Sequence, residues 1–308
     1  MIEVPFYAPL PFLQIASVTG FILLPALGMG INASIALFIS HRSKAAAFGI
    51  LLFVAGLLAI FIWGTTELKK TYPTPLHWTI LQHNLPISGK WQLEHSFEVM
   101  DKYRAMALQA ARKKPAMIIF PLYNFPEDVL RHPEFFTDLA RRTKAWILVA
   151  TYIPLEEGQD LSQGFFDTAL LYSPDGRLVD HTQAVRPPPF RQISESNQKG
   201  YKVLSTPFGK IGILLCYEDC LPAMAQEAVR QGADMLIALS NPGYFTSTWM
   251  PYYHLMQDRL RAIESKRFVV RVSANGYSGV VDPQGRVLQK SHLSQEEILQ
   301  IQVGKVSP

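Results

Sequence analysis

The chain is poor in cysteine and in the short motifs that announce cofactors. Its two cysteines, Cys216 and Cys220, lie four positions apart. They are too few for a disulfide framework and too isolated for a metal site unless further ligands join them. No glycine-rich phosphate loop, His-Glu-x-x-His helix or paired Cys-x-x-Cys occurs, so nucleotide and metal readings have no support and no cofactor is expected. The formal net charge is only +4 and the basic residues form no periodic face, which argues against nucleic-acid binding. Internal repeats and low-complexity tracts are absent as well.

Charge is scarcest between Leu13 and Trp63, where His41-Arg42-Ser43-Lys44 interrupts an otherwise apolar stretch. Each flank approaches the roughly 20 residues needed to cross a bilayer. The pattern predicts a membrane hairpin within residues 1–66, with spans at about 20–39 and 46–63. Met1-Ile-Glu-Val-Pro has no basic n-region and no small-residue cleavage site follows, so a secretory signal peptide is the weaker reading. Arg42 and Lys44 would hold the connection in the cytoplasm, while Lys69 and Lys70 pull the other way.

A linker at 67–76, containing Tyr72-Pro-Thr-Pro75, leads to a change of pattern. Short apolar runs rich in β-branched residues at 77–84, 116–121, 145–152, 210–216, 234–240 and 268–273 read as strands. Helical spacing at 92–112, 133–143, 222–231 and 251–265 alternates with them, predicting an α/β layered domain over 77–308 with largely buried strands. Turns at Pro174-Asp-Gly176 and Asp282-Pro-Gln-Gly285 add antiparallel hairpins at 167–180 and 279–288.

Within this domain, Gly212-Ile-Leu-Leu-Cys216-Tyr217-Glu218 is an apolar run that stops at a thiol. A cysteine at a strand-to-turn junction lies close to backbone N–H groups that stabilise an oxyanion. Ser240-Asn241 ends the next strand, so two strand ends face one crevice, where open α/β sheets place their ligands. His254 is expected to be a hydrogen-bonded structural residue, and His83 to be packed in the sheet.

Cys216-Tyr-Glu218, Ser240-Asn241 with Tyr244-Phe245, His254, Arg261-Ala-Ile-Glu264 with Arg267, Arg271 with Asn275-Gly276, and Asp282-Pro-Gln-Gly285 form an ordered series. It resembles the successive motifs of the nitrilase superfamily and, more narrowly, of the apolipoprotein N-acyltransferase family. Leu81-Gln82-His-Asn84-Leu-Pro86 with Lys90-Trp91 is similar to the first strand of that family's catalytic domain, and Leu13-Gln14, Thr19-Gly20 and Ile31-Asn32-Ala33 to its last spans before it. The resemblance implies a nitrilase-like four-layer αββα sandwich on the periplasmic face of the bacterial inner membrane, with a Glu-Lys-Cys triad. In that family the cysteine takes an acyl chain from phospholipid as a thioester and passes it to the amine of a lipoprotein's N-terminal cysteine. Cys216 matches the nucleophile and Glu218 the acid beside it.

The other triad positions depart from the family. Leu122, in Phe120-Pro121-Leu122-Tyr123, stands at the glutamate, and Gln183, or Ala184 with a one-residue slip, stands at the lysine. Loss of a base and of an oxyanion partner each costs on the order of 10²–10⁴ in rate. Rescue would fall to Glu127 or Asp128 for the base and to Arg186 for the charge, with Tyr123, Asn241, Tyr244 and His254 lining the pocket. The family's further spans, ahead of this pair and after the domain, are not matched.

The expected role is therefore binding or assembly at the cell envelope, with the bilayer and a lipoprotein, lipidated peptide or envelope protein as partners, in a chain that acts as a monomer. The rival expectation is an active thiol acyltransferase or amidase with a rewired base. A third, a soluble amidase with a cleaved leader, places the mature N-terminus near Thr65 or later.

Overall fold

The computed structural model describes residues 9–41, 44–85, 93–122, 134–155, 164–187, 194–195, 200–242 and 249–306. Two short helices, α1 (Leu10–Leu13) and α2 (Ala16–Thr19), precede two long apolar ones, α3 (Leu23–His41) and α4 (Lys44–Glu67). Of the two expected spans, only the second lies in a helix long and apolar enough to cross a membrane among the described residues: Ala47–Glu67 qualifies, whereas Pro25–Ser40 is shorter than required. Ile39, Phe48, Leu51 and Ile62 on these two helices are exposed apolar side chains. So wide an unburied apolar surface is rare in a soluble monomer.

The domain that follows is built from two sheets. The first runs β13 (Glu297–Val303), β1 (Leu76–Gln82), β2 (Met117–Ile119), β3 (Trp146–Pro154), β4 (Phe165–Tyr172), β5 (Leu178–Gln183), with β6 (Ser194–Glu195) joined to β4. The second runs β12 (Val287–Lys290), β11 (Gly279–Val281), β10 (Phe268–Ser273), β9 (Met235–Ser240), β8 (Gly209–Leu215), β7 (Leu204–Thr206). The β1–β2–β3 and β8–β9–β10 pairings are parallel, as is the short β4–β6 pairing, and the remaining ones are antiparallel. The strand β13, which closes the first sheet against β1, was not among the expected strands.

Side-chain alternation sorts the residues into layers. Trp78, Ile80, Ile119, Leu148, Ile213 and Val270 point into a core between the sheets. Ile118, Phe120, Ile147 and Val149 point outward, onto α5 (Leu93–Ala111) and α6 (Glu134–Thr143), whose Tyr103, Phe135, Phe136 and Leu139 meet them. Leu214, Leu236 and Val269 point the opposite way, onto α7 (Pro222–Arg230) and α8 (Trp249–Ser265). The layering is thus helix, sheet, sheet, helix. Each such fully buried aliphatic or aromatic side chain contributes about 1.5–3 kcal/mol.

The N-terminal helices are pinned to this domain. Leu13 and Ala16 join the core under α7 and α8. Gln14 Nε2 donates to Gln284 O at 3.0 Å, and Phe21 N donates to Glu264 Oε1 at 3.2 Å. Arg286 donates to the carbonyls of Leu68 (3.2 Å) and Lys70 (3.1 Å), placing a cation at the C-terminal end of α4, where the helix dipole favours one. Gly64 lets α4 approach α1, since a Cβ there would fall 1.9 Å from Pro11 O.

Candidate active site around Cys216

β8 ends at Leu215 and the chain turns at once into a 3-10 turn, Cys216–Cys220. Cys216 has a φ of +52°, the left-handed region that side-chain-bearing residues seldom adopt. Such a backbone costs on the order of 1–3 kcal/mol and persists only where the surroundings over-determine it. Two sets of contacts do so here.

The first is Glu218, buried at 1% exposure. Its Oε1 accepts from Val185 N (2.7 Å) and Arg186 N (3.0 Å), and its Oε2 accepts from Leu215 N (3.0 Å). One carboxylate thus ties the segment after β5 to the cysteine turn. Burial pushes this carboxyl up to about 7, against the pull of the three N–H donors, and buried Asp167 adds to the rise.

The second is a polar network on the helix side of the second sheet. Arg271, fully buried in β10, donates through Nη1 to Asp219 Oδ2 (2.9 Å) and Asp258 Oδ2 (2.8 Å), and through Nη2 to Ser240 Oγ (2.6 Å). His254 Nδ1 lies 2.6 Å from Asp219 Oδ2, and Cys220 Sγ donates to Asp219 Oδ1 at 3.1 Å. Burial works to raise the Asp219 carboxyl, but His254 and Arg271 outweigh it and hold the group down at about 2. For Asp258 burial wins over Arg271, and the carboxyl rises to about 6. Burial and Asp219 together push the Cys220 thiol far up, so it is a poor nucleophile.

The sequence-derived candidates separate into three groups. Leu122 and Ala184 are buried in the inter-sheet core, and half-buried Cys216 packs against that same core. Gln183 points elsewhere. It pairs with Thr168, whereas Ala184 N bonds Asp167 O, so Ala184 shares its face with Asp167 and Gln183 takes the opposite one. Arg186 is exposed, and its backbone N–H is what serves the site. Asn241 is buried at the end of β9, next to Ser240. His254 is buried in the network, with Nδ1 2.6 Å from Asp219 Oδ2. His83 is buried just after β1, with Nδ1 accepting from Leu85 N at 2.8 Å. Tyr123, Glu127, Asp128 and Tyr244 lie outside the described residues. No disulfide joins Cys216 and Cys220.

Sequence reasoning missed Asp219 and Asp258 as partners of Arg271. The signal was present: an arginine inside the fully buried strand Phe268–Ser273 requires buried carboxylates nearby.

The carbon-nitrogen hydrolase profile matches residues 80–306, from β1 to just beyond β13. The chain belongs to the carbon-nitrogen hydrolase family. Among curated members, an apolipoprotein N-acyltransferase of Geobacter metallireducens is 25% identical over 323 residues, covering 95% of this chain and 61% of that protein. This carbon-nitrogen hydrolase chain thus spans about three fifths of the length of the curated relative it matches. Among solved structures, a carbon-nitrogen hydrolase from Helicobacter pylori G27 superposes with a TM-score of 0.63 at 17% identity, covering 75% of this chain and 89% of that one. A glutamate-to-leucine variant of an amidase from Nesterenkonia sp. AN1, with the acetamide moiety of fluoroacetamide covalently added at its active-site cysteine, gives 0.60 at 18% identity, covering 76% and 94%. Both share the two-sheet fold described above.

Proposed function

We propose that this chain is a membrane-associated, apolipoprotein N-acyltransferase-like protein in which acyl transfer is impaired. Its role is to bind a lipid-bearing peptide or envelope partner at the inner membrane, with the α/β domain on the periplasmic face and α3–α4 as its hairpin anchor. The observation that carries this reading is that Leu122 and Ala184 are buried in the apolar inter-sheet core against which Cys216 packs. The resemblance puts a glutamate base and a lysine at these places, with Ala184 rather than Gln183 favoured for the lysine by strand alternation. A leucine and an alanine neither accept the thiol proton nor meet a tetrahedral oxyanion. Their joint replacement also leaves no orphan: losing one member of a buried ion pair costs about 3–5 kcal/mol, whereas exchanging both for apolar residues is often neutral.

The test uses the full chain in phospholipid nanodiscs with a diacylglyceryl-modified peptide bearing a free N-terminal amine. The reading expects saturable binding, equal in Cys216→Ala, and no N-acylated peptide. Product formation that vanishes in Cys216→Ala would overturn it.

A second reading, an active thiol enzyme with a rewired base, is favoured by the retained left-handed Cys216 backbone. The Nesterenkonia variant supports it too, since that amidase carries a covalent adduct on its cysteine with a glutamate exchanged for leucine. Turnover in the same assay would select this reading.

A further inference from the structure

The network beneath the cysteine turn has a feature that holding the turn in place does not require. It contains two buried carboxylates, Asp219 and Asp258, and one guanidinium, Arg271. Asp258 Oδ1 is buried and has no hydrogen-bond partner. Next to this arginine–aspartate core, three donor atoms of different chemistry converge. Cys220 Sγ is 3.1 Å from Asp219 Oδ1 and 3.9 Å from His254 Nδ1, and His254 Nδ1 is 2.6 Å from Asp219 Oδ2. All three lie within 4.8 Å of one another.

We propose that Asp219, Cys220 and His254 bind one divalent cation of the zinc class. A sulfur, an imidazole nitrogen and a carboxylate oxygen are a zinc-type donor set, and a thiolate disfavours magnesium and calcium. Donors about 2.0–2.3 Å from a tetrahedral ion stand roughly 3.5 Å from one another, so the sulfur edges are already near that spacing. With Asp219 Oδ1 as the carboxylate ligand, His254 Nδ1 exchanges its 2.6 Å contact with Oδ2 for the ion.

Charge favours occupancy. Arg271 against Asp219 and Asp258 leaves one negative charge in excess. The cation brings two positive charges, the Cys220 thiol gives up its proton to solvent as the metal–sulfur bond forms, and His254 moves its ring proton from Nδ1 to Nε2 so that Nδ1 can ligate, so the buried set becomes neutral. Arg271 engages Asp219 through Oδ2, leaving Oδ1 for the ion. Water completes the coordination from the side of half-buried Cys220. The bound ion would clamp the C-terminal end of the turn that carries Cys216, independently of whether that thiol reacts.

Chelator-treated full chain in detergent, titrated with Co²⁺ alone, tests this. The expected result is saturation at one equivalent with a thiolate-to-cobalt charge-transfer band, reversal by Zn²⁺, and release of one proton per ion. Cys220→Ser should abolish the band and Cys216→Ser should leave it intact. Asp258→Asn, which keeps the thiol, should weaken binding about 10–100-fold, as supporting residues around a metal do. A band that survives in Cys220→Ser or follows Cys216→Ser, or no saturable band in wild type, overturns the proposal. Should Cys220→Ser fail to fold, by circular dichroism, the wild-type titration and Asp258→Asn still decide.

Discussion

The two sides of the Cys216 turn are built on opposite principles. Toward the space between the sheets, Leu122 and Ala184 belong to the apolar core on which Cys216 packs. Toward the helices, Arg271, Asp219, Asp258 and His254 keep a buried and densely bonded set of charges. Among the described residues, the inter-sheet side carries apolar groups at Leu122 and Ala184, with the buried Asp167 carboxyl on the face of Ala184, while the side that fixes the backbone carries the bonded network of charges. On the proposed reading, the turn still presents the thiol but lacks the means of moving its proton.

The largest expected effect comes from breaking the polar side. Arg271→Met leaves Asp219 and Asp258 without their cation and should lower unfolding stability by about 3–5 kcal/mol, measured by urea unfolding of the full chain in detergent. Removing the paired acids along with the arginine should recover most of that loss. If Arg271→Met is neutral, the network does not hold the turn.

The apolar side can be probed in the reverse direction. Leu122→Glu alone buries an unpaired carboxyl and Ala184→Lys alone an unpaired amine, so each should destabilise by several kcal/mol. Combined, they should couple favourably by about 0.5–3 kcal/mol in a double-mutant cycle on the proposed reading, since both side chains lie in the same inter-sheet core. Additivity of the two losses would separate them and remove the basis for treating them as a vanished pair.

Glu218, which bridges the two sides, gives a pH signature. Its folded value of about 7 lies above the ordinary carboxyl value of 4.5, so the native chain holds a proton that the unfolded chain has released. The stabilising contribution is complete below about 4.5 and is lost as pH rises through about 7, amounting to roughly 3 kcal/mol for this buried group. Asp258, raised to about 6, falls in the same direction over a lower window, while Asp219, held at about 2, contributes only above its ordinary value and is lost in strong acid. Glu218→Gln should flatten the decline in stability between about pH 4.5 and 7, read from thermal melts across pH. An unchanged slope would place the titrating proton elsewhere.

The smallest effect is expected at the anchor. Arg286→Ala removes donors to the Leu68 and Lys70 carbonyls and should cost about 1–2 kcal/mol, visible as faster proteolysis after α4 with the domain intact.

Much of this architecture was legible in the sequence, for physical reasons. Runs such as Met235–Ser240 and Phe268–Ser273 are buried on both faces and so are almost continuously apolar, which marks parallel strands. The strand Glu297–Val303 escaped because it is an edge strand alternating Gln300 and Gln302 with apolar residues, a weaker pattern. Cys216 was legible because β8 ends so sharply. The choice between Gln183 and Ala184 was not, since a slip of one residue reverses every side chain and only pairing with β4 fixes it. Asp258 was hidden because an acid in an amphipathic helix reads as a solvated face until the arginine opposite it is known.

The most direct test of the central claim is intact-protein mass spectrometry of the full chain expressed in membranes, before and after hydroxylamine. An inert apolar wall beside Cys216 predicts the unmodified mass, identical in pattern to Cys216→Ala. A hydroxylamine-labile acyl mass present in wild type and absent from Cys216→Ala would contradict it, showing that the thiol still takes an acyl chain.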